Sequence, residues 1–302
     1  LQIYCRLLIA DCRLLMKAVL LARGLGSRMK QDADAAVLSP LQAAAAAAGS
    51  KGMMPIGSPS TSHGAGPAIA PGGNGRARPF LDYVLSALAD AGCTDVCLVV
   101  APDHREIVGY YEGTGRPRRV KLSYAVQESA NGTARAVLAA RAFATRQAFL
   151  ALNADNLYPA AVLGSLVELD EPGLPGYRRD DLARDSGFPP ERVNAFAAIE
   201  VDADQYLRRI VEKPGPDYYD AAGPGALVSM NAWRFDERIF EACRDVPLST
   251  RGEYELPEAA GLATTRGVRF RVVPASGPVL DLSRPSDVAL VSARLAGREP
   301  RP

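Results

Sequence analysis

Three charged residues follow or open short apolar runs in this chain. Arg28 closes KAVLLARGLGSR, Lys51 opens KGMMPI, and Asp155 follows the run in FLALNADNLY. An arginine and a lysine reaching one site would balance a triphosphate. An aspartate at the carboxyl end of a strand is placed to hold Mg2+ through one or two carboxylates, with water and phosphate oxygens completing the shell. Read singly, each has a plainer meaning: a structural βα turn, a surface lysine, a turn or N-cap aspartate.

The glycine turn narrows the choice of anion site. Gly24 and Gly26 let the chain turn sharply and bring backbone N–H groups close to a ligand. The dinucleotide pattern GxGxxG fails, because Met29 stands at the third glycine position. The P-loop pattern fails too, because no GKS or GKT follows. What remains is a glycine turn delivering Arg28 to an anion.

Two further places carry charge in a telling context. In VEKP, Glu212 and Lys213 are adjacent; on a strand they point to opposite faces, and a turn before Pro214 would aim both at a ligand. Asp281 lies in the apolar run PVLDL, where a carboxylate needs a partner: a metal, a salt bridge or an N-cap.

The elements that must position these residues are legible as a rhythm. KAVLLA, TDVCLVVA, VKLSYAV and AFLALN read as strands. PFLDYVLSALADAG reads as a helix closed by Gly92, DHREIVGYYEG as a helix with Asp103 at its N-cap, and GTARAVLAARAFA as a helix whose N-terminus offers free N–H donors. This alternation predicts βαβ units and a mainly parallel sheet. Past residue 190 the pattern becomes mixed: NAFAAIEV and YLRRIVEK as paired strands, GALVSMNAWRF as one long strand, DERIFEAC as a helix, GVRFRVVPA as a strand and PSDVALVSARLAG as a final helix. We expect this half to extend the same sheet. The alanine-rich QDADAAVLSPLQAAAAAAGS admits a short helix from Pro40. The segment 57–78, rich in Gly, Pro and Ser, buries too little to offset ordering and reads as a mobile loop.

Bulk composition is that of an ordinary globular protein: 302 residues, 48% hydrophobic, 23% charged, formal net charge +1. Near-neutral charge favours neither nucleic acid nor an anionic membrane as partner. Five cysteines without CxxC spacing and only two histidines, His63 and His104, argue against a zinc site or a disulfide framework. Cys93 and Cys97 read as small apolar residues, and the setting as reducing and cytoplasmic. Residues 1–15 are broken by Arg6, Asp11 and Arg13, too short and too charged to span a membrane. We expect them to be an appended or non-native segment ahead of Met16.

The ordered set LARGLGSRM, KGMMP, VQESANGTARAV, LNADNLY, IVEKP and VLDLSRPSD resembles the sugar-1-phosphate nucleotidyltransferases, across about Lys17 to Leu295. The resemblance implies a Rossmann-like three-layer α/β/α fold, with a single domain over 16–302. Its nucleotide-binding part would span about 16–155 and its sugar-phosphate-binding part about 156–296. It implies Mg2+-dependent transfer of a nucleotidyl group from an NTP to a sugar-1-phosphate, and relatives that often form homo-oligomers. By the same resemblance Gly24, Gly26, Ser27 and Arg28 cradle the triphosphate beside Lys51. Gln127, Gly132 and Thr133 serve the nucleotide. Glu212, Asn231 and residue Ala197 line the sugar, Lys213 holds its phosphate, and Asp155 and Asp281 bind the metal.

The chain departs from the family pattern in places. Arg23 replaces a small residue, Gly52 a proline, and Ala197 a glycine whose backbone touches the sugar; RGEYELPEAA brings Glu253 or Glu255 toward that site. Transfer to another phosphate acceptor, or a catalytically silent regulatory relative, are the alternatives these departures keep open.

Overall fold

The computed structural model describes residues 16–31, 38–57, 77–144, 146–223 and 225–302. The expectations for residues 1–15 and for most of the 57–78 loop, His63 included, lie outside these described residues.

The core is one mixed sheet. Its first half is built from β1 (Met16–Leu21), β4 (Cys93–Val100), β5 (Lys121–Val126) and β6 (Phe149–Asn153). β1 lies between β4 and β6, β5 flanks β4, and all these pairings are parallel. The second half adds β8 (Gly173–Arg178), β9 (Ala197–Val201), β10 (Leu207–Val211), β11 (Leu227–Ser229), β12 (Trp233–Phe235) and β13 (Arg271–Ala275). The order is β10-β9-β11-β8-β12-β6-β1-β4-β5. β12 joins the halves by running antiparallel to β6, and β13 pairs parallel with β8. Short antiparallel pairs lie off this sheet: β2 (Pro55–Ile56) with β3 (Arg78–Pro79), and β7 (Asn156–Leu157) with β14 (Leu280–Asp281).

Alternation along the central strands dictates three layers. Ala18, Leu20, Leu150 and Leu152 face one layer with Phe80, Leu81, Val84 and Leu88 of the helix Phe80–Asp90. Val19, Phe149 and Ala151 face the other, with Trp233, Phe235 and Phe240. Both faces are buried, so these strands read as continuous apolar runs. Cys93 and Cys97 are buried within them, and burial pushes their thiols up to about 12 and about 11.

Several elements differ from the sequence expectation. GALVSMNAWRF is two strands, β11 and β12, because Asn231 takes a left-handed backbone with φ 61°. The helix Arg105–Glu112 has His104, not Asp103, at its N-cap, without a side-chain cap. The strand β8, GLPGYR, matches none of the elements expected from the sequence and is buried in the second half of the sheet despite its two glycines and proline. A Cβ on Gly173 would lie 2.6 Å from Arg271 O, and one on Gly176 2.7 Å from Val272 Cγ1, so β13 packs too close for side chains. The helix from Pro40 does form, as Pro40–Ala48. Ser39 Oγ accepts from Gln42 N, and Gln42 Oε1 from Ser39 N, as a capping box.

Candidate active site

A cleft of about 870 Å³ opens over the junction of the two halves of the sheet. Strand ends deliver its polar groups. Asn153 ends β6 and Asp155 lies in the turn to β7, whose first residue, Asn156, pairs with Asp281 on β14. Leu282 N donates to Asp155 O at 2.9 Å, so the two aspartates, far apart in sequence, come to one place. Both line the cleft. Burial pushes the Asp281 carboxyl up, and the negative charge of Asp155 pushes it further, against the opposing pull of Arg192.

Each aspartate has a resident cation. Lys51 Nζ donates to Asp155 Oδ2 at 2.9 Å. Arg192 donates to Asp281 Oδ2 at 2.7 Å, and Ser283 Oγ donates to Asp281 Oδ1 at 2.8 Å. Among the described residues no three His, Cys, Asp or Glu side chains stand close enough to cage a metal. Two carboxylates on one cleft are instead a donor set that suits a hard divalent cation whose remaining ligands are phosphate oxygens and water.

Arg28 and Lys213 line the same cleft, and the charge of Arg28 reaches Lys213. Lys213 follows the end of β10 with φ 46°, the turn before Pro214 that aims it and Glu212 at one site. Burial depresses the Lys213 ammonium, and Arg251 and Arg28 depress it further. Burial also pushes the Glu212 carboxyl up to about 7, helped by Glu255 and opposed by Arg251 and Lys213. Arg251 pairs with Glu255 and lies 3.9 Å from Glu212. Ala197, Thr133 and Asn231 also line the cleft. The Asn231 side chain donates to Asn153 Oδ1 and accepts from Trp233 Nε1, which fixes its amide.

Other expected residues stand elsewhere. Gln127 is buried, and its amide nitrogen is committed to Asn131 Oδ1 and Gly132 O. Gly132, at φ 116°, packs against the backbone of Tyr254, where a Cβ would meet Tyr254 O at 2.3 Å. The helix Thr133–Ala139 does not keep all its N-terminal donors free, since Ala134 N donates to Tyr254 O. The Thr133 hydroxyl accepts from Leu256 N. Neither Gln127 nor Gly132 lines the cleft; they fasten its loops together. Gly24, Gly26 and Ser27 likewise stand off the cleft lining, in the turn that leads to Arg28.

Comparison with known proteins gives these residues a context. A family model described as nucleotidyl transferase matches residues 58–273. The chain belongs to the nucleotidyl transferase family. It is 27% identical over 215 residues to the UTP–glucose-1-phosphate uridylyltransferase AglF of Haloferax volcanii, covering 70% of this chain and 81% of that one. It is 26% identical over 192 residues to the glucose-1-phosphate thymidylyltransferase of Mycolicibacterium smegmatis, 63% and 62% of the two chains. Two further relatives are longer, and the match covers 56% and 46% of them. A UDP-glucose pyrophosphorylase structure shares the fold, with a TM-score of 0.66 at 17% identity over 93% of this chain and 98% of the other.

The cleft of this nucleotidyltransferase also holds charged residues that the motifs did not point to. Arg192 and Arg251 are the main ones. Arg251 stands in the RGEYELPEAA stretch that pointed to this site through its glutamates. The signal for Arg192 was the buried Asp281, which required a partner. Arg23, a departure from the family pattern, donates to Gln127 O and Glu128 O and so ties the glycine turn to the neighbouring loop. Among the described residues no helix is long and apolar enough to cross a membrane.

Proposed function

We propose that the protein catalyses Mg2+-dependent transfer of a nucleotidyl group from an NTP to a sugar-1-phosphate, releasing pyrophosphate. The observation that carries this reading is the gathering of Asp155, Asp281, Arg28, Lys213 and Glu212 around one cleft. A phosphate oxygen of the acceptor, already ionised at neutral pH, forms the new P–O bond at the α-phosphorus. The bond to the bridging oxygen breaks, and pyrophosphate leaves with the electron pair. No general base is required, so the absence of histidine among the described residues of the cleft is no obstacle. Rate enhancement then comes from alignment and from fixed positive charge.

The roles divide by position. Arg28, beside Lys51, would neutralise the triphosphate, with the glycine turn bringing backbone N–H groups near it. Lys213, seconded by Arg251, would hold the acceptor phosphate. Glu212 and Asn231 would accept from and donate to sugar hydroxyls, with the Ala197 methyl limiting the pocket. Asp155 and Asp281 would hold Mg2+, which when bound offsets charge on the phosphate oxygens. Gln127, Gly132 and Thr133 would shape the nucleotide end through the loops they fasten.

The test is pyrophosphate release with Mg2+, four NTPs and a panel of sugar-1-phosphates. Release that requires both substrates is expected and would name base and acceptor together. NTP binding without turnover on any acceptor would overturn the reading in favour of a silent relative.

A further inference from the structure

Arg192 is bound more completely than an arginine in an open cleft needs to be. Its guanidinium donates to Asp281 Oδ2 at 2.7 Å and to Asp281 O at 3.2 Å. The same group donates to Asp287 Oδ1 at 2.5 Å and Oδ2 at 3.0 Å. It lies 4.7 Å above the Phe188 ring, which restricts the plane of the fork. Asp287 in turn accepts from Ser283 N and Arg284 N, so the loop after β14 hangs on the same two acids.

The segment carrying Arg192 is an excursion between β8 and β9. It runs through the helix Arg179–Ser186, a left-handed Gly187 and the single turn Pro190–Val193. It is fastened to the Asp281 strand a second time, since Val279 N donates to Ser186 Oγ at 2.9 Å. Arg192 and Ser283 together fix both oxygens of Asp281. A buried carboxylate facing a second one, Asp155, has good reason to rotate away unless it is held.

We infer that Arg192 is a positioning residue for the metal site: it orients Asp281 toward Asp155 and makes the pair ready for a divalent cation, without itself touching substrate. The inference rests on the reading of Asp155 and Asp281 as metal ligands.

The test is Mn2+ binding to the whole protein, followed by the EPR signal of free Mn2+, for wild type, R192K, R192M and D281N. R192M is expected to weaken Mn2+ binding at least tenfold. R192K keeps the charge but loses the planar fork, and should weaken it about threefold to tenfold. The half-saturating metal concentration in turnover should rise in parallel, with kcat at saturating metal falling less. Wild-type Mn2+ affinity in both Arg192 variants, with D281N weakened, would overturn the role of Arg192 alone and leave it a structural clamp. Wild-type affinity in D281N as well would overturn the metal reading on which it rests. Should R192M fail to fold, R192K decides the matter by the same comparison.

Discussion

Gly26 and Gly49 meet backbone to backbone. A Cβ on Gly26 would lie 2.5 Å from Gly49 O, and one on Gly49 would lie 2.8 Å from Leu25 O. Both residues are left-handed, at φ 62° and 74°. The second glycine of the turn is thus required by packing against the helix Pro40–Ala48, whatever the turn binds. Gly24 is different, since a Cβ there would meet nothing within 4 Å. G26A should therefore lower stability by about 2 kcal/mol or more, through a left-handed alanine and a backbone clash. G24A should melt like wild type but show a raised KM for the NTP. Thermal melts and initial rates on both variants check this, and an unstable G24A would contradict it.

Lys51 and Asp155 form a largely buried ion pair across 104 residues of sequence, with side chains 19% and 24% exposed. Fully exposed pairs contribute only about 0–1 kcal/mol to stability, and removing one partner from a pair with this much burial costs more, about 1–2 kcal/mol. K51M and D155N should accordingly still fold, with melting temperatures lowered by a few degrees. Turnover should fall about a hundredfold or more in K51M and nearly vanish in D155N. Wild-type rates in either variant would remove that residue from the chemistry.

Glu212 makes the stability of the free enzyme depend on pH. Burial beside Glu255 pushes its carboxyl up to about 7 in the folded protein, from an ordinary value of 4.5. Between those values the folded state holds more protons than the unfolded one, so stability falls as pH rises through the window. The penalty is complete above pH 7 and amounts to about 1–3 kcal/mol. E212Q should flatten this dependence and melt higher than wild type at pH 8, while losing affinity for the acceptor. Parallel melting curves for the two proteins from pH 4 to 8 would contradict the assignment.

Ala197 starts β9 and lines the cleft with its backbone paired to Ser229. A197G removes one methyl from the acceptor end. The cost to the strand is about 0.5–1 kcal/mol. The KM ratio between two acceptors that differ in bulk should shift toward the larger one, with kcat for the preferred acceptor nearly unchanged. An unchanged ratio would show that the methyl does not bound the pocket.

Legibility followed the physics of each segment. β1, β4 and β6 are buried on both faces, and their continuous apolar runs announced them. The helix Phe80–Asp90 carried its apolar spacing openly. β8 was hidden because the close approach of β13 demands glycines, and glycine with proline spells a turn when read alone. The break at Asn231 was hidden because a left-handed backbone at a non-glycine residue is stabilised by contacts to Asn153 and Trp233, which no local pattern contains.

The sequence by itself determined the layered α/β architecture, the turn that carries Arg28, and the family to which the ordered motifs belong. Those rest on local chemistry: apolar periodicity, glycine at turns and charge at strand ends. Only the tertiary structure decided which charges meet. Arg192 reaches Asp281 across 89 residues and Lys51 reaches Asp155 across 104. It also decided that Gln127 and Gly132 bind their own loops and that Glu212 is pushed up by burial beside Glu255. Ion pairing and desolvation act between atoms brought together by the fold, and their strength depends on a distance and a burial that no stretch of sequence contains.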